Sequence, residues 1–89
     1  MRIDRTKRFR KNFTLCIKRG YDAEAFKEVF DLLIQQKTLP ERCRDHKLQG
    51  NRSKYRCCHI KFDWVLIYRY DYEQNAIIFD DTGTHSDLF

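Results

Sequence analysis

Four consecutive residues, Val65-Leu66-Ile67-Tyr68, are apolar with no alternation. Successive side chains of a strand point to opposite faces, so a strand with one wet face alternates apolar and polar residues. A run without alternation marks a central strand that is covered, at least in part, on both faces. The fold must therefore place this stretch inside a sheet and supply a cover for it. The cover lies upstream. Phe9, Phe13, Cys16 and Ile17 fall at i, i+4, i+7 and i+8, one stripe of a helix over about residues 7–18. Asp4 or Thr6 can cap its start, and Gly20 suits the left-handed position just past its end. Asp22 caps a second helix with the stripe Phe26, Val29, Phe30, Leu33 and Ile34, and Pro40 closes that segment. The two form a helical hairpin.

Residues 38–54 read as polar and irregular, with Gly50, Asn51 and Ser53 as turn formers. Strands follow at about Tyr55 to Ile60, Trp64 to Tyr70 and Asn75 to Asp81, the last two joined through Asp71-Tyr72-Glu73-Gln74. Met1-Arg2-Ile3 is a short first strand. The expected fold is α+β, a single domain over residues 1–89. Its N-terminal helical hairpin packs on one face of a twisted, mainly antiparallel sheet, and the other face is free to bind.

Composition narrows the function classes. Of 89 residues 42% are hydrophobic, with one proline and three glycines, which is a globular and not a disordered composition. No apolar run approaches the roughly 20 residues of a membrane span. The basic N-terminus lacks an apolar core of a signal peptide, so the expected location is the cytoplasm. The four cysteines are then expected as thiols of a reducing compartment. Residues 1–54 hold 15 Lys/Arg against 7 Asp/Glu, whereas residues 55–89 hold 3 against 6. A basic half suits a polyanionic partner or a solvated helix face.

All three histidines lie in the half made of loop and strands: His46 before the sheet, His59 at the end of a strand and His85 after the last strand. Asp63 sits in the turn between two strands. A meander brings such strand ends together. Two imidazoles and a carboxylate suit metal-free, acid–base cleavage of RNA, one group taking the proton of a ribose 2′-hydroxyl and another protonating the leaving 5′-oxygen. The terminal Phe89 can stack on a base. Each histidine alone reads more readily as a surface or hydrogen-bonded residue. Cys43, His46, Cys57 and His59 offer a second reading, a tetrahedral zinc site, although no paired Cys-x-x-Cys knuckle is present.

Three segments carry a resemblance: Asp45-His46-Lys47-Leu48-Gln49-Gly50; Tyr55-Arg56 through His59-Ile60-Lys61-Phe62-Asp63-Trp64 to Tyr68; and Thr82-Gly83-Thr84-His85-Ser86-Asp87-Leu88-Phe89. In residues, order and spacing they resemble the YafQ branch of the RelE toxin family, across essentially the whole chain. The resemblance implies a RelE-like domain and a ribosome-dependent endoribonuclease, an mRNA interferase without cofactor or catalytic metal. It implies a cognate antitoxin, a small ribbon-helix-helix-type protein, with operator DNA bound only through the toxin–antitoxin complex and no membrane. By position, His46, His59, Asp63, His85 and Phe89 match the family's site. His46 and His85 are then the expected base–acid pair, with His59 and Asp63 orienting groups and stabilising charge. Arg10, Lys11, Lys47, Arg52 and Lys54 are expected to meet RNA phosphates. Two positions depart from the family pattern. Phe62 stands where relatives often have proline. Asp81, preceded by Asp80, stands where many carry arginine; carboxylates facing a phosphate would weaken RNA binding and favour a non-catalytic binding module.

Overall fold

A computed structural model describes residues 1–89. The chain runs β1 (Arg2–Arg5), α1 (Lys7–Lys18), α2 (Ala23–Ile34), a 3₁₀ turn (Glu41–Cys43), β2 (His46–Lys47), a second 3₁₀ turn (Gly50–Arg52), β3 (Arg56–Lys61), β4 (Trp64–Asp71), β5 (Ala76–Gly83) and α3 (His85–Leu88). The five strands form one sheet in the order β1-β5-β4-β3-β2. Only the β1–β5 pair is parallel. The apolar run sits in β4, the middle strand, as its lack of alternation requires.

Both long helices begin and end as their sequences dictate. Thr6 Oγ1 accepts the N–H of Phe9, and the Asp22 carboxylate accepts those of Glu24 and Ala25. Gly20, at φ +87°, closes α1: its N–H donates to Ile17 O and that of Tyr21 to Cys16 O. That double bond pattern needs the left-handed backbone glycine adopts without cost.

The helices cover one sheet face. Phe9, Cys16, Val29 and Leu33 from the helices join Cys58, Ile60, Trp64, Leu66, Tyr68, Ile77 and Phe79 from the strands in one core. Aromatic rings form its centre, with Phe9–Phe79 centroids at 5.5 Å and Phe13–Phe26 at 4.7 Å. Ile17, expected in the α1 stripe, is 37% exposed. It lies about 80° round the helix from Phe9, by the 100° step of an α-helix, beyond the arc that reaches the sheet.

Three further expectations change. The second face is not bare: Val65 and Ile67 alternate onto it and are buried, as is Cys57. Residues of the 50–55 segment and the C-terminus meet over it, with the Arg52 guanidinium 5.5 Å from the Phe89 ring centroid and that of Arg69 6.0 Å from the Tyr55 ring. Residues 38–54 are not wholly irregular, because Leu39 and Cys43 enter the core and His46–Lys47 forms the edge strand. The last strand runs to Gly83, and the tail beyond it is helical. No helix is long and apolar enough to cross a membrane.

Candidate active site

His46 is set on the sheet edge by its neighbour. Asp45 turns to the helix side, where its carboxylate accepts Tyr68 Oη at 2.6 Å and Arg56 Nη2 at 3.1 Å. Arg56 therefore stays firmly protonated, and burial with Asp45 alongside pushes the Tyr68 phenol far above its usual range. Alternation then sends His46 to the opposite face, in register with Cys57. Arg44, in the left-handed region at φ +47°, presents its carbonyl 2.6 Å from His46 Nδ1.

His59, Asp63 and His85 come together at one end of the sheet. His59 is paired across β4 with Val65, and Val65 with Gly83, so His59 and the tail that starts at Gly83 share one row. The His59 and His85 ring centroids are 5.0 Å apart. Asp63 Oδ1 accepts His85 Nδ1 at 2.5 Å and the His85 backbone N–H at 3.2 Å. The two bonds from His85 hold the Asp63 carboxyl below its ordinary value, the side-chain bond contributing most. His59 Nδ1 lies 3.2 Å from the Phe62 carbonyl. Carbonyls and carboxylates only accept, so each of the three imidazoles carries its proton on Nδ1 when neutral and leaves Nε2 for chemistry. His46 makes no direct contact with the other three site residues; it stands on the same face as His59, displaced by two residues along β3.

The tail is positioned by two devices. Thr84 and Asp87 form a reciprocal capping box that folds His85–Leu88 into one helical turn. Thr84 N–H donates to Asp87 at 3.0 Å, which is the main cause of its lowered pKa, and Arg19 of α1 adds a contact at 3.5 Å. Gly83 makes room for this turn: a Cβ there would lie 3.0 Å from Asp87 Oδ2. The second device is buried. Thr82 Oγ1 accepts Trp64 Nε1 at 2.8 Å and donates to Val65 O at 2.7 Å. Trp64 follows Asp63 and Thr82 precedes the tail, so this link ties the two strands that carry Asp63 and His85. Phe89 ends the turn, 6.0 Å from the His85 ring and against Arg52.

Asp80 and Asp81 take a different place from the one their position suggested. The β4–β5 register shifts after Ile67, leaving Asp80 as an extra residue. The bulge turns both carboxylates to α1: Arg8 reaches Asp80 at 3.2 Å and Asp81 at 3.4 Å, and Asn12 donates to Asp81 at 2.7 Å. Arg8, Asn12 and Arg19, along one flank of α1, are site neighbours that sequence reasoning missed. Arg10 lies on the opposite flank of that helix, Lys11 on its exposed back, and Lys47 and Lys54 are exposed near the sheet edge. The zinc arrangement does not form. No three His, Cys, Asp or Glu residues gather as a metal-holding group, and Cys43 and Cys57 are buried thiols with pKa values raised by burial.

A hairpin of helices over a mainly antiparallel sheet, whose other face carries three imidazoles, is the RelE-like α+β toxin architecture. Comparison with known proteins narrows this further. The family model described as bacterial toxin of type II toxin-antitoxin system, YafQ, matches residues 1–89. The chain is 36% identical over 88 residues to the mRNA interferase toxin YafQ of Escherichia coli K12, covering 98% of this chain and 94% of that protein. It superposes on the crystal structure of YafQ from E. coli BL21(DE3) with a TM-score of 0.90 at 35% identity, covering 100% and 99% of the two chains. It also matches a chain of the E. coli DinJ–YafQ toxin–antitoxin complex, with a TM-score of 0.88 at 36% identity over 98% and 94%. The chain belongs to the YafQ family of type II toxins.

Proposed function

We propose that this chain, an mRNA interferase by family, cuts translated messenger RNA on the ribosome, using the 2′-hydroxyl beside the scissile phosphate as nucleophile. The observation that carries the reading is the Asp63–His85–His59 cluster with Nδ1 anchored and Nε2 left unbonded on each imidazole. Attacking and leaving oxygens lie roughly in line across a phosphate, so the base and the acid must stand on opposite sides of it. His59 and His85 are too close together for that division. His46, set apart on the sheet edge, supplies the other side and pairs with His85. Asp63 fixes the His85 tautomer and the orientation of its ring. His59 and Arg52 stabilise charge on the phosphate, and Phe89 holds a base or the tail. Lys47 and Lys54 meet ribosomal phosphates beside the cut, and Arg10 and Lys11 meet them away from it, along the outer side of α1.

The residues form one domain, working in the cytoplasm without a cofactor. The toxins of the E. coli DinJ–YafQ complexes are seen bound to their antitoxin. By the same logic this chain is silenced by an acidic segment of a small ribbon-helix-helix-type antitoxin, and meets operator DNA only in that complex. The carboxylates that favoured a non-catalytic module are engaged by Arg8 and Asn12, which removes the main argument for it. The test is primer extension on one messenger incubated with purified toxin, translated or naked. Cuts confined to the translated messenger are expected. Equal cutting of naked RNA overturns ribosome dependence, and no cutting of either overturns the nuclease reading.

A further inference from the structure

Phe62 is the most exposed large apolar side chain of the protein, at 88%, and it stands at a positive φ that a side chain disfavours. Lys61 and Trp64 pair across β3 and β4, leaving Phe62-Asp63 as a two-residue loop. Phe62 has φ +51°, and Asp63 has no positive φ. A positive φ at the first loop position favours glycine. Proline, fixed near φ −65°, is incompatible with this turn. An aromatic residue here bears the steric penalty of the left-handed region and gains no packing in return. The fold does not account for it.

The neighbourhood does. The Phe62 carbonyl is the group that holds His59, and the next residue is Asp63. A cleft of about 320 Å³ opens beside the ring, between the α1–α2 turn (Gly20, Tyr21, Asp22) and the β3–β4 turn (Lys61 to Trp64). Lys61 Nζ lies 5.8 Å from the Phe62 ring centroid and 3.0 Å from Asp22 Oδ2. One of its three donors serves Asp22, leaving two for a phosphate oxygen. A flat apolar ring, a cation beside it and continuity with the imidazole cluster match a nucleotide: base on the ring, phosphate on the ammonium.

We infer that Phe62 is a positioning residue whose ring stacks a nucleobase of the bound RNA next to the nucleotide being cut, with Lys61 on its phosphate. The inference rests on the RNA-cleaving reading above. Stacking is sequence-tolerant, so Phe62 sets how firmly the RNA is held and where it is cut more than which base is read.

The test measures binding apart from cutting. Ribosomes are programmed with a messenger bearing a 2′-deoxynucleotide at the attacked position, which lacks the nucleophile and stays intact. Phe62→Ala should weaken toxin binding by about 5- to 150-fold, the range for losing one stacked base. Phe62→Tyr and Phe62→Trp should restore it and Phe62→Leu should not. Phe62→Gly suits the turn and should fold at least as well as the parent while binding like Phe62→Ala. A messenger with an abasic site beside the cut separates the sources of the base. If the Phe62→Ala effect vanishes there, the messenger supplies the base as inferred; if it persists, ribosomal RNA does, and the placement next to the cut nucleotide is overturned. Parental binding by Phe62→Ala, or full rescue by Phe62→Leu, overturns the inference. So does a Phe62→Ala defect confined to the antitoxin complex, which would make this surface a protein contact. A parent protein that neither binds nor cuts on translating ribosomes overturns the underlying reading and this one together.

Discussion

Replacing Thr82 by valine removes one oxygen and nothing else of consequence in volume. Thr82 is 1% exposed, and its hydroxyl is the acceptor for Trp64 Nε1 and a donor to Val65 O. In Thr82→Val the indole N–H loses its acceptor while buried, and the nearby Cys16 thiol is a weak replacement. A buried donor left without a partner costs about 1–3 kcal/mol, and a methyl of similar size leaves no cavity to add to it. A loss of about 2 kcal/mol, at about 4–8 °C per kcal/mol for a domain of this size, lowers the melting temperature by about 8–16 °C. Circular dichroism melting reads this directly, with Thr82→Ser as the variant that keeps the hydroxyl and should recover most of the loss. The same link braces the strands carrying Asp63 and His85, so cleavage at a temperature where Thr82→Val is fully folded should also fall, while Thr82→Ser cuts nearly as the parent does. A Thr82→Val protein melting within about 2 °C of the parent would refute the reasoning, since the unpaired indole would then have no measurable penalty.

Asp81→Arg should give no gain in cleavage and should lower stability, because it removes the acceptor of Asn12 and sets a cation beside Arg8; parallel melting and primer extension check both. Asp63→Asn should slow cleavage by about 10-fold or more across pH 5–8 with little change in melting, because it takes charge from behind an exposed imidazole. The carboxyls of Asp22, Asp63 and Asp87 are all held low, chiefly by Lys61, His85 and Thr84 respectively. The stability they add is complete above the ordinary carboxylate range of about pH 4 and is lost as the pH falls through their lowered values, so acid titration followed by circular dichroism should be flat above about pH 4–5 and decline below. Removing Phe89 should reduce cleavage by a smaller factor than losing His85, on the scale of about 1–3 kcal/mol for one stacking contact, as single-turnover rates will show.

The parts of this fold that were legible in the sequence are those where local pattern and tertiary demand agree. The unbroken run in β4 announces a central strand, and Thr6, Gly20 and Asp22 mark helix ends through their own hydrogen bonds or backbone freedom. Of the four residues expected to converge, His59, Asp63 and His85 do, because strand ends meet in a meander, whereas His46 stands apart on the edge strand. What escaped depends on distant partners. Two residues make β2 a strand only because Asp45 is tied to Arg56 and Tyr68, residues 11 and 23 positions away. The Asp80 bulge, and with it the turn of Asp80 and Asp81 toward Arg8 and Asn12, is a register effect of β4 against β5. The tail helix does have a local signal, since Thr84 and Asp87 have capping-box spacing.

The central claim is that His85, held by Asp63, moves a proton in RNA cleavage. It is tested most directly by the single-turnover rate of His85→Ala on a translated messenger, with circular dichroism to establish that the variant is folded. The tail turn contributes little packing, so folding should survive. The rate should fall by about 10²-fold or more, the scale of a lost general acid or base, and adding His46→Ala should cost less than the product of the two single losses, since both act on one proton-transfer path. A folded His85→Ala protein that cuts at the parental rate would contradict the account and remove the tail from the mechanism.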